Sequence, residues 1–214
     1  MEWGILAIGI IFIVVAYIIL QGTRATLAWR KAAAGGDVEV IRKMLEETIA
    51  SWRSMKRPKE VAPDVWRGVQ SVETIDVAAD SARVSCQVES EYRLQDGRWV
   101  EVTSPLQEGL SVTARLADML LYDVPNLRLE SARIDVYTTF RDPEGAAERV
   151  CILSTDARRD VARGVDWEDW TPLEIVDALG GRYRLGERGA VLPIDPIEWK
   201  GTPEPSSLGA QTDR

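Results

Sequence analysis

Residues 82–94 read ARVSCQVESEYRL, and the fold class turns on them. Val84, Cys86, Val88, Tyr92 and Leu94 fall in one alternating phase; Arg83, Ser85, Gln87, Glu89, Glu91 and Arg93 fall in the other. A period of two with one wet face predicts a single long strand of an antiparallel sheet. Asp96-Gly97 follows, then Arg98-Trp99-Val100-Glu101-Val102, the pattern of a tight hairpin. Upstream, residues 69–77 are expected to supply a partner strand, joined through the turn Ala79-Asp80-Ser81.

Working outward, Ser104-Pro105 predicts a helix start, with serine as N-cap and proline at the first helical position. Leu106, Leu110, Leu116, Ala117 and Leu120 give it an inner face as far as about Tyr122, before Pro125-Asn126 breaks it. A second hairpin is expected from residues 129–140 and 147–155 through Asp142-Pro143-Glu144-Gly145. Thr171-Pro172-Leu173-Glu174 is a capping box that opens a short helix, closed by Gly180-Gly181. Asp37 caps another helix in which Val38, Ile41, Leu45, Ile49 and Trp52 form a stripe, ended by Pro58 and expected to pack on the sheet. Helix, three strands, helix, two strands, helix predicts α+β: a meander-type antiparallel sheet with helices packed mainly on one face.

The N-terminus adds a different element. Trp3–Leu20 runs 18 residues without a charge, and at 1.5 Å per residue this covers about 27 Å, enough for a thin bilayer core. A cleaved signal peptide would want a basic start, and here Met1-Glu2 precedes the apolar run. The reading is a single transmembrane helix. Arg24, Arg30, Lys31, Arg42 and Lys43 follow it and no Lys or Arg precedes it, which predicts the N-terminus outside and the rest in the cytoplasm. The expected organisation is an anchor over 1–22, a basic juxtamembrane helix over 23–60, a cytoplasmic α+β domain over 61–196 and a Pro/Ser/Gly-rich disordered tail over 197–214.

Charge separates these parts. The 214 residues carry 26 Lys plus Arg against 34 Asp plus Glu, a net charge of -8. Residues 22–60 nevertheless hold nine basic residues against five acids. The five cations after the helix are therefore assigned to the surface of an anionic leaflet. An acidic domain is the reverse of what nucleic acid requires, so no nucleic-acid partner is expected.

Chemistry is mostly excluded. The chain has no histidine, which rules out a Ser-His-Asp triad and a His-ligated zinc. It has no phosphate-binding glycine loop, no GxSxG and no CxxC. Cys86 lies in the apolar phase of its strand and reads as a small core residue rather than a reactive thiol. The face of Cys151 is not fixed by its neighbours. No cofactor and no metal are expected.

Asp166-Trp167-Glu168-Asp169-Trp170 is the one segment that suggests recognition. Acids just before a helix favour its dipole, whereas tryptophans rimmed by acids suit a basic protein partner; a hard-cation site lacks the required spacing. The expected partners are the lipid bilayer and a protein of a membrane complex. The function expected is a non-enzymatic accessory, assembly or scaffold subunit anchored by one helix. The alternatives are a ligand-binding or sensory domain with a pocket between sheet and helices, and an enzyme using Asp/Glu acid–base groups.

Overall fold

The computed structural model describes residues 12, 15–20, 31–32, 35–95, 97–141 and 146–199. Residues 15–20 are helical, with Val15, Tyr17, Ile18, Ile19 and Leu20 exposed. Among the described residues no helix is long and apolar enough to cross a membrane; most of Trp3–Leu20 lies outside them.

The body is α+β. Helix α1 (Val38–Ser54) starts where expected, with the Asp37 carboxylate accepting from the Val40 amide. Its stripe of Ile41, Leu45, Ile49 and Trp52 is buried, so the basic neck is welded into the same core as the sheet. Helix α2 (Pro63–Gln70) takes the first two residues of the strand expected over 69–77, and only β1 (Glu73–Val77) is extended. Proline at the first helical position and Trp66 and Val69 one turn apart explain the helix. Strand β2 (Ser81–Gln87) follows through a tight turn in which the Ala78 amide donates to the Ser81 carbonyl at 2.8 Å.

The long strand expected over 82–94 is two strands in two sheets. Strands β3 (Glu91–Gln95) and β4 (Arg98–Thr103) form a separate two-stranded ribbon, and Gly97 takes the positive φ of 75° that its turn needs. Helix α3 (Pro105–Asp118) has the full capping box between Ser104 and Gln107, and continues as a π-helical turn over Met119–Asp123. Strands β5 (Ser131–Arg141) and β6 (Ala147–Arg158) form the expected hairpin; residues 142–145 lie outside the described residues. The chain ends with α4 (Arg159–Ala162), α5 (Pro172–Ala178) under its Thr171–Glu174 capping box, β7 (Arg182–Leu185) and β8 (Val191–Leu192).

The main sheet runs β1-β2-β5-β6-β7-β8. It is mixed, which corrects the antiparallel expectation: β2 and β5 pair in parallel, from Ser81 opposite Ser131 to Gln87 opposite Tyr137. A parallel pair needs a long crossover, and residues 88–130 provide it. Ala82, Val84 and Cys86 of β2, Ala132, Ile134 and Val136 of β5, and Leu153 and Ala157 of β6 face the helices and are buried.

The other face is polar. Asp135, fully buried, receives Arg83 Nε at 2.7 Å and Ser154 Oγ at 2.6 Å. The segment after β8 straps this face. Ile194 N donates to the Cys151 carbonyl, Ile197 N donates to Ser154 Oγ, and Arg133 donates to the Ile197 carbonyl. Trp199 Nε1 donates to Asp76 at 2.8 Å. Partial burial pushes the Asp76 carboxyl up, but the Val77 amide, Trp199 and Arg42 outweigh it and hold the pKa below the usual value. The tail expected to begin at residue 197 therefore starts with three ordered residues; 200–214 lie outside the described residues.

Helices α2 and α3 cross closely at Gly68, where an added Cβ would overlap the buried Cγ2 methyl of Val112. Val112 is β-branched and fully enclosed, so it has no rotamer to retreat into. Gly68→Ala is expected to cost about 1–3 kcal/mol through overpacking, read as a lower midpoint in urea unfolding with an unchanged slope.

Candidate functional site

The ribbon β3–β4 projects from the body as an arm. Tyr92 stands opposite Glu101, and Leu94 opposite Trp99, so these four share one face. Tyr92 is 55% exposed, Leu94 61% and Trp99 72%. A free two-stranded ribbon is marginal in water, and one showing a large aromatic face is a feature that soluble surfaces normally avoid.

The arm arises from the crossover. Val88 N donates to the Tyr137 carbonyl at 2.9 Å, and then the two chains diverge. Between them opens a groove of about 910 Å³. Glu89, Ser90, Tyr92 and Glu101 line it from the arm side; Pro105 and Leu106 of α3, Thr138, Thr139 and Phe140 of β5, and Val191 line it from the body. Among the described side chains, the charged ones that line it are the acids Glu89 and Glu101.

Glu108 lies in the first turn of α3. It is 1% exposed, and neither oxygen finds a well-placed hydrogen-bond partner. Burial pushes its carboxyl up to about 7. The Arg67 guanidinium, 3.9 Å away, and the Glu89 amide oppose that rise, while the charges of Asp64 and Glu89 add to it. The other buried carboxylate among the described residues, Asp135, sits on the opposite face of the sheet in its ion pair. The two do not face one another, so they make no acid–base pair.

The residues nominated from sequence fall elsewhere. Asp166 accepts from the amides of Glu168 and Asp169, closing its own turn. Trp167 packs against the core and meets Tyr122 edge-on, ring centroids 6.2 Å apart, whereas Trp170 is 40% exposed. Glu168 and Asp169 are exposed. Tyr122 also lies 5.0 Å under Arg159, which donates to the carbonyls of Leu121 and Leu129, so Trp167 belongs to a structural stack. Of the neck cations, Arg24 and Arg30 lie outside the described residues, Lys31 and Lys43 are exposed, and Arg42 pairs with Asp76 at 3.2 Å.

Burial pushes the Cys86 thiol far up, and the Cys151 thiol up to about 12, so neither supplies a thiolate at neutral pH. Among the described residues no group of three or more Cys, Asp or Glu is placed to hold a metal. The arm was hidden in the sequence because Tyr92 and Leu94 keep the phase of Val84 and Val88. The available signal was Ser90, a polar residue in the apolar phase, where the strand leaves the sheet.

No protein-family model matches the chain, and comparison with curated proteins and with solved structures gives no match.

Glu108 makes the domain pH-sensitive. Its folded pKa of about 7 exceeds the ordinary carboxylate value, so the folded state holds the proton longer. That contribution is fully present below about pH 4.5 and is lost as pH rises through 7, by up to roughly 3 kcal/mol. Glu108→Gln should be more stable than the wild type at pH 8, with the difference shrinking below pH 5. Denaturant titrations across that range read it.

Proposed function

We propose that the chain is a non-enzymatic accessory or assembly subunit of a membrane-associated complex. It is anchored by the apolar segment 3–20, its folded domain lies in the cytoplasm, and it docks a partner protein through the β3–β4 arm and the groove at its base. The observation that carries the docking role is the exposed face of Tyr92, Leu94 and Trp99 on a ribbon that, among the described residues, pairs with no other strand. Exposed aromatic residues beside a concave floor are the usual anchors of protein interfaces. Trp167 is half-buried in its stack with Tyr122, so the arm, with three large side chains exposed, is the stronger candidate for recognition than segment 166–170.

Anchoring rests on the sequence. An uncharged run of 18 residues followed by Arg24, Arg30 and Lys31 suits one membrane pass with the basic side inward. With Arg42 engaged by Asp76, the exposed Lys31 is the described neck cation best placed to meet anionic lipid.

The docking role is tested by a photo-crosslinking side chain placed at position 99 in native membranes. A discrete adduct is expected there, and none at the exposed control position Val161. Tyr92→Ser with Leu94→Ser should remove the adduct while the thermal midpoint stays within a degree or two, because both side chains are exposed. Equal adducts at both positions, or an adduct that survives the double substitution, count against the arm. For topology, a reporter fused after Arg214 should be active only in its cytoplasmic form; an exported, active reporter reverses the assignment.

A further inference from the structure

The groove at the root of the arm has for one wall a strand edge that no described strand covers. Strand β5 runs beyond Tyr137 for four residues, 138–141, each opposite a residue of β6 from Val150 to Ala147. On its other side its neighbour β2 has stopped, since the last bond there is Val88 N to the Tyr137 carbonyl. Among the described residues no strand covers that edge. Backbone N–H and C=O groups require partners, and an open edge next to a groove is where an added strand goes.

We propose that this groove takes an extended segment of a partner protein, which pairs with the β5 edge at residues 138–141 beneath the apolar face of the arm and carries Lys or Arg between apolar side chains. The proposal rests on the docking role of the arm and specifies its occupant. Length, apolar character and charge each bear on it. Four residues of strand span about 13 Å, which suits a segment of four to six residues. Side chains of such a segment alternate: one set would meet Leu106 and Phe140 of the body, both of which line the groove. The other set would reach the arm side of the groove, where Glu89 and Glu101 stand, and among the described side chains of the lining there is no Lys or Arg to oppose a cation. The chain's own tail is a poor occupant. It leaves the described structure just after Trp199, whose indole bonds Asp76, and Asp76 is opposite Arg83 at the far end of β2 from Val88. Pro203 and Pro205 also interrupt it, and proline cannot donate to a ladder.

The test uses the full chain in mild detergent and a labelled, end-blocked octapeptide of alternating Lys and Val. Binding is expected, with hydrogen-exchange protection gained at residues 138–141 and along the arm. Glu89→Lys with Glu101→Lys should weaken it by about tenfold or more at low salt. The same octapeptide methylated at alternate backbone nitrogens keeps its side chains and loses its ladder donors, and should bind at least tenfold more weakly. Absence of binding by the Lys/Val peptide overturns the proposal. So does equal binding by the methylated peptide, by an alternating Glu/Val peptide, or by a peptide of residues 200–214. These failures are separable from failure of the docking role: if the adduct at position 99 still depends on Tyr92 and Leu94, docking stands and only the strand-like, basic occupant is lost.

Discussion

The hydrogen bond from the Val88 amide to the Tyr137 carbonyl is the last tie between β2 and β5, and the layout of the domain follows from where it falls. Up to that point the two strands run parallel, so the chain must return over the sheet to begin β5 at the same end. The return carries α3 across β5 and β6, close enough that a Cβ on Gly109 would lie 3.3 Å from Val136 Cγ1. It also leaves the β3–β4 ribbon outside the sheet, because the place beside β5 that a continued β2 would have filled is left behind when the chain turns away. Arm, groove and open edge are thus one consequence of a single parting of strands.

The polar face of the sheet sets where that parting occurs. Asp135 is a fully buried carboxylate held by Arg83 and Ser154, and Ser154 in turn accepts from the strap at Ile197. A buried ion pair contributes little net stability, but breaking one is costly. Its larger effect is on register. Sliding β5 by one residue against β2 or β6 would turn Asp135 into the apolar layer beside Ile134 and Val136, and would put those two against the strap. The network therefore locks three strands in the one alignment that ends the ladder at Tyr137.

Local signals in the sequence were readable wherever a few neighbouring residues decide the outcome. Asp37, Ser104 with Gln107, and Thr171 with Glu174 all cap the helices their spacing implies. The β5–β6 hairpin and the turn at Ala79-Asp80-Ser81 are likewise local. The parallel pairing is not local: Ser81 and Ser131 are partners across a 50-residue gap, and alternation alone carries no sign of strand direction. The helix at Pro63–Gln70 was missed for a related reason, since Val69 is β-branched and falls in the alternating phase of Ile75 and Val77, which reads as a strand. At the site, Glu89 and Glu101 gave no warning, because acids on strands usually face water. Trp167 is positioned from afar: Tyr122, 45 residues earlier, meets it edge-on, while Trp170 stays exposed.

Glu108 links stability to the site. A carboxyl in the first turn of a helix is normally favoured by the dipole, yet burial outweighs that advantage here and pushes it up to about 7. In a chain without histidine, this gives the domain a group whose charge changes near neutral pH. When Glu108 is ionised, negative charge gathers at the root of the arm from Glu108, Glu89 and Asp64, with Arg67 as the opposing cation. Linkage then has a fixed sign. Any cation brought into that region favours the ionised form, and ionisation favours the cation by the same factor. A neutral or acidic occupant would gain nothing from this arrangement and would leave Arg67 as the cation nearest the buried charge. The ionised carboxyl at the root of the arm and the acidic rim of the groove therefore carry the same sign of charge, although one derives from a buried helix residue and the other from the surface.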